Sequence, residues 1–115
     1  MMNCQDLKRM ANQLRYDTLQ AFHTVGSGHP GGCLSLAEII TVLYFDKLRL
    51  DPQNPKWVDR DRFLLSKGHG APILFAALAH RGYFDISNLN RLRQHDGMLQ
   101  GTPNPGIPGC DTVAG

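Results

Sequence analysis

Two histidines stand in glycine-flanked turns. His29 lies within Gly26-Ser27-Gly28-His29-Pro30-Gly31-Gly32, and His69 within Ser66-Lys67-Gly68-His69-Gly70. Glycine removes the side chain that keeps a ligand off the backbone, and it permits φ > 0 where a chain turns sharply. An imidazole placed there offers ring nitrogens to a substrate or phosphate beside exposed backbone N–H groups. Both turns open into apolar, helix-like runs, so the pair reads as two walls of one pocket for an anionic small molecule. The plainer alternatives are a capping histidine at 69 and, at 29, a helix–helix connection whose ring bonds a carbonyl.

The layout around His69 strengthens the first reading. Phe63-Leu64-Leu65 is a short apolar run bounded by charge, as in a buried parallel strand. The turn and a helix opening at Pro72 follow it. In open α/β sheets, ligands bind beyond the carboxyl ends of strands, and the next helix start favours anions. Lys67 adds positive charge there. Other candidates are weaker: His23 and His80 fall in last helical turns, where a cation complements the dipole. His95 follows the basic segment Arg91-Leu92-Arg93, expected to be a solvated face, and Asp59 and Asp61 are expected to be solvated too. Cys33 and Cys110 read as small buried residues. No group has the spacing of a metal site.

The elements that must position the histidines follow from periodicity. Residues 1–25 form a helix, with Leu7, Met10, Ala11, Leu14, Ala21 and Val25 on one face, ended by Gly26-Ser27-Gly28. Residues 35–48 form a second helix, opened by a Ser35–Glu38 capping box and a Leu34–Ile39 staple. It is apolar nearly all round and therefore buried. A surface connection from Asp51 to Arg62 leads to the strand at 63–65. A helix over 72–81 is bracketed by Pro72 and Gly82, and a shorter one covers 87–94. Residues 96–115 carry five glycines and three prolines and are irregular.

Composition narrows the class. In a chain of 115 residues, 42% hydrophobic and 19% charged residues fit one small globular domain. A net charge of +2 without a Lys/Arg stripe excludes nucleic acid as an expected partner. Three scattered cysteines make no disulfide framework. Neither a signal peptide nor a run of ~20 apolar residues is present, so no membrane is expected and the cytoplasm is the default.

In order and spacing, Ser27-Gly28-His29-Pro30-Gly31, Ala37-Glu38-Ile39 with Leu43-Tyr44, and Asp61-Arg62-Phe63 leading to Ser66-Lys67-Gly68-His69 resemble the N-terminal section of transketolases. The compact start and Ser66-Lys67-Gly68-His69-Gly70 look most like the split form, whose halves are separate subunits. The resemblance implies an α/β chain, the first part of a doubly wound thiamine diphosphate-binding domain. It also implies transfer of a two-carbon ketol unit between sugar phosphates, with Mg2+ or Ca2+ beside the cofactor. By position, His29 would face the substrate near the reacting carbon, while His69 and Gly68 would contact the cofactor diphosphate, with Lys67 beside them.

The chain departs from the family pattern at Thr102, where a histidine is usual, and at Ala114, where threonine is usual before Gly115. Threonine can hydrogen-bond a hydroxyl but carries no positive charge. The family's metal-binding motif and its pyrimidine-binding half lie beyond the matched stretch. The 115 residues are therefore expected to be inactive alone. They would serve with a C-terminal transketolase half or a continuation, within a homo-oligomer in the complete enzyme. The alternative is a non-catalytic remnant or interaction module that keeps the family fold.

Overall fold

A computed structural model describes residues 2–111. Its first helix, α1 (Cys4–Val25), starts at a reciprocal capping box: the Asn3 side chain accepts from the Asp6 N–H, and Asp6 accepts from the Asn3 N–H. Ala11, Leu14, Thr18, Ala21 and Phe22 form its buried face, at three- and four-residue spacing. Buried Thr18 spends its hydroxyl on the Leu14 carbonyl. Gly26, at φ 82°, closes the helix with its N–H on the Phe22 carbonyl.

A separate short helix, α2 (Pro30–Leu34), comes next, and the helix read over 35–48 runs over 37–47, as α3 (Ala37–Val42) continued by a wider π-helical turn over Leu43–Lys47. Ala37, Ile40, Thr41 and Tyr44 are buried and Leu36, Leu43, Phe45 and Leu48 pack half-buried against the core, while Ile39 is 56% exposed and Val42 37%. One stripe thus packs on α1, and a helix on the rim of a small core cannot bury every side. The Ser35–Glu38 capping box does not form, because Ser35 has helical backbone angles and Glu38 pairs with Arg15 of α1. That pairing holds the Glu38 carboxyl below its ordinary pKa.

The all-round apolar helix is α4 (Ala71–Arg81). Every residue from Ala71 to Leu78 is buried, and α4 packs against α1, α2 and α3. Pro72 begins it and Gly82, at φ 102°, ends it. A 3-10 turn, Gly68–Gly70, precedes α4, and another covers Ile86–Arg91, where a full helix over 87–94 was expected. Asp85 caps that turn through the Ser87 N–H.

The expected strand at Phe63–Leu65 is absent. The segment is irregular, with Leu65 buried, Leu64 60% exposed, and Phe63 edge-on to Tyr44 at 5.9 Å. A strand needs a neighbour for its hydrogen bonds, and no strand occurs among the described residues. These residues are therefore an all-helical array.

The connection before it lies on the surface, as expected, and is held there by ion pairs. The Asp61 carboxylate accepts from the Arg49 N–H (2.7 Å) and guanidinium (3.0 Å), which lowers its pKa. Arg60 binds Asp111 through Nη2 (2.5 Å) and Nε (3.2 Å). Asp59 is exposed, as expected. Beyond residue 96 the chain runs in turns that bury Leu99, Ile107 and Cys110. Ala114 lies outside the described residues. No described helix is long and apolar enough to cross a membrane.

Burial separates the thiols. Cys4 is exposed, whereas Cys33 and Cys110 are buried, and burial pushes the Cys33 thiol up and that of Cys110 up to about 11. Since the thiolate is the reactive form, a disulfide reagent at pH 8 is expected to titrate one thiol promptly and two more only after unfolding. Prompt reaction of a second thiol in the native protein would contradict this packing.

Candidate functional site

The two glycine-flanked turns meet. The rings of His29 and His69 lie edge to face, centroids 5.3 Å apart at 86°. Both residues are exposed. His29 stands immediately before Pro30, the first residue of α2. His69 is the middle residue of the 3-10 turn that runs into α4.

Close backbone packing brings them there. A Cβ on Gly28 would lie 2.2 Å from Cδ1 of Phe22, and one on Gly70 would lie 2.8 Å from Cδ1 of Leu36. Leu36 can give way, since its methyl is the end of a flexible side chain. Phe22 is 9% exposed and cannot swing aside. Gly28→Ala is therefore expected to destabilise the protein by about 1–3 kcal/mol, read as a lower urea midpoint with unchanged slope. An unaltered midpoint would show that the 26–29 loop does not rest on α1.

From below, the buried Cys33 thiol reaches the His69 carbonyl at 3.6 Å, a weak hydrogen bond from one turn into α2. Beside the pair, the Lys67 ammonium donates to Ser35 Oγ at 3.1 Å, and that hydroxyl donates to the Gly32 carbonyl. Ser35 thus anchors a cation instead of capping a helix. Gly68 is buried at the start of the turn. The site therefore assembles two imidazoles and one ammonium, whereas at the opening of α4 the Gly70 and Ala71 N–H groups are taken by the Lys67 and Gly68 carbonyls and Pro72 has none. Among the described residues no carboxylate bonds to His29, His69 or Lys67. Such a site can hold an anion and place an ionisable ring beside it.

The remaining candidates lie apart from the pair. Thr102 is exposed in the bend before buried Pro103 and makes no hydrogen bond among the described residues. His80 stands in the last turn of α4, as expected, and its Nε2 lies 2.5 Å from Asp17 of α1. His23 and His95 are exposed. The basic segment 91–93 is not a solvated face: Leu92 is fully buried, Arg91 pairs with Asp96, and Arg93 reaches back to Ser27. Arg93, Ser35 and the position of Cys33 under His69 were not foreseen. Of these, only Cys33 carried a signal, its four-residue spacing from His29 at a helix start. No group of three or more His, Cys, Asp or Glu able to hold a metal ion occurs among the described residues.

Known proteins share this arrangement of sequence and backbone. Residues 6–115 match the family described as transketolase, thiamine diphosphate binding domain. The chain is 49% identical over 94 residues to the 6-deoxy-6-sulfo-D-fructose transketolase subunit SqwG of a Clostridium species (strain MSTE9), covering 82% of this chain and 34% of that one. It is 44% identical over 111 residues to human transketolase, covering 96% of this chain and 18% of that one. The crystal structure of transketolase from Campylobacter jejuni superposes with a TM-score of 0.89 at 35% identity, covering 99% of this chain and 18% of that one. The chain thus spans about a third of the first relative and under a fifth of the others. The backbone follows the thiamine diphosphate-binding domain of these enzymes, although the expected strand is not formed.

Proposed function

The chain belongs to the transketolase family, through its thiamine diphosphate-binding domain, and on that premise we propose that it contributes one wall of a ketol-transfer site completed by further protein. The observation that carries this reading is the edge-to-face His29–His69 pair at two helix starts. The donor set suits the cofactor's diphosphate in kind: imidazole and ammonium, with no carboxylate bonded to either among the described residues. When bound, thiamine diphosphate supplies the carbanion-stabilising chemistry.

The protein's own residues divide the remaining work. His69 and Gly68 hold the diphosphate, and Lys67, fixed on Ser35, supplies charge. His29 faces the substrate, where its ring hydrogen-bonds a hydroxyl and holds or passes a proton at a ring nitrogen. Thr102 takes a place the family usually gives to histidine. Its hydroxyl can bond a sugar hydroxyl without adding positive charge, so the substrate's phosphate must be held elsewhere. The described residues do not fit a metal ion, and Mg2+ or Ca2+ is assigned to the completing segments.

The substrate class is a ketose bearing a terminal anionic group, with an aldose as acceptor. The Clostridium relative's name adds a sulfonated ketose to the phosphorylated ones. That relative is named as a subunit, which supports a C-terminal transketolase half as partner. We place the complex in the cytoplasm, as a homo-oligomer of the assembled enzyme, without nucleic acid or membrane.

One observation favours a second reading, an interaction module without catalysis: Ile39, Val42 and Leu64 are exposed. Complementation separates the two. The chain is mixed with the missing segments of a transketolase, thiamine diphosphate and Mg2+, and transfer from a ketose phosphate to an aldose phosphate is measured. Transfer that requires this chain supports catalysis. A stable complete assembly without transfer would leave only the docking role.

A further inference from the structure

The loop that carries His29 has few anchors of its own. Gly26, at φ 82°, and Gly28 flank Ser27, and glycine leaves the most backbone freedom to be lost. One side chain reaches it from far along the sequence. Nη2 of Arg93 donates to the Ser27 carbonyl at 2.7 Å and to Ser27 Oγ at 2.7 Å, across 66 residues.

Arg93 is itself unusual. At φ 60° it is the one non-glycine residue in the left-handed region among the described residues. Arginine gains nothing locally from that conformation, and strained backbone persists only where the surroundings impose it. Here they do. Leu92 and Leu99 are fully buried on either side, and the Arg93 N–H is bonded to the Leu99 carbonyl at 2.8 Å. The turn between them is closed by the Gly97 N–H on the Gln94 carbonyl. A rigid, core-anchored base therefore aims the guanidinium at the loop.

We propose that Arg93 is a positioning residue: through Ser27 it holds the 26–29 loop so that the His29 ring meets His69. The functional meaning rests on His29 being a substrate-side group. The physical claim does not, and its test reads loop order rather than turnover. The proposal can thus fail while the ketol-transfer reading stands, and the converse also holds.

Arg93→Gly removes the guanidinium and relaxes the left-handed backbone together, so a purely structural role and a positioning role predict different results. In the full chain, we expect Arg93→Gly to keep or raise the thermal midpoint. The backbone order parameters of Ser27, Gly28 and His29, read by 15N relaxation, should fall from the rigid range of about 0.85 toward about 0.6 or below. The ring-to-ring nuclear Overhauser effect between His29 and His69 should weaken. Arg93→Lys, which keeps a cationic donor, should recover part of both signals. Ser27→Ala, which removes one acceptor without touching the 91–99 turn, should lower the same order parameters by a smaller amount. Unchanged order at Ser27–His29 in both Ser27→Ala and Arg93→Gly would overturn the proposal. So would equal loss of order in the lysine and glycine variants.

Discussion

His29→Ala in the assembled enzyme is expected to lower kcat by about 10²- to 10⁴-fold, the usual contribution of a positioned acid–base group, with little change in the half-saturating concentration of thiamine diphosphate. His69→Ala should do the reverse. Losing one hydrogen bond to a charged diphosphate weakens cofactor binding by roughly 10- to 100-fold, and turnover is largely recovered at saturating cofactor. The split follows from placement. His69 sits in the turn entering α4, two residues from the Lys67 ammonium, whereas His29 lies across the pair at the end of the 26–29 loop. Initial rates measured against both cofactor and ketose separate the two effects. If both variants lost cofactor affinity equally, the division of roles between the rings would be wrong.

The second large effect concerns stability. Arg60 and Asp111 are 11% and 12% exposed, and their doubly bonded pair joins the 51–62 connection to the C-terminal turns. Removing one partner leaves a largely desolvated charge, so Asp111→Ala or Arg60→Met is expected to cost about 3 kcal/mol, the lower end for a broken buried pair. The thermal midpoint should fall by roughly 10 °C or more. Replacing both partners with apolar residues should recover much of the loss, because the desolvation penalty disappears with both charges. A single variant within about 0.5 kcal/mol of the parent would show that the pair is solvated in solution. The consequence reaches the site only indirectly. Arg60 also donates to the Trp57 carbonyl, and the connection it braces leads directly to residues 63–70.

Much of this was legible in the residues themselves. Glycines around His29 and His69 signalled backbone that other groups approach closely. The structure explains why for Gly28, where the Phe22 ring leaves no room for a Cβ, and it brings the two rings together. Gly26 and Gly82 stop α1 and α4 in the left-handed conformation that their positions suggested.

What was not legible depends on contacts distant in sequence. An apolar run cannot say whether it is central or at the rim. Ala71–Leu78 is enclosed, while Ile39 and Val42, equally apolar, are exposed on α3, whose buried residues are Ala37, Ile40 and Thr41. Phe63–Leu65 has the composition of a strand, but pairing needs a second chain segment that residues 2–111 do not provide. Ser35 and Glu38 have the spacing of a capping box, yet Lys67 and Arg15 claim them. Arg93 looked like surface charge, since nothing local announces a partner 66 residues away.

The proposed wall places His69 on the diphosphate of the cofactor, with the His29 ring against it on the substrate side. Its most direct test is a histidine-selective NMR titration of the chain, assembled with the completing transketolase segments, with thiamine diphosphate and Mg2+. Five histidines report at once. Saturable shifts of the His69 ring signal, and of the His29 ring beside it, are expected with one common affinity, weakened in Lys67→Ala, while His23, His80 and His95 stay still. Shifts confined to those three, or none at the His29–His69 pair, would contradict it.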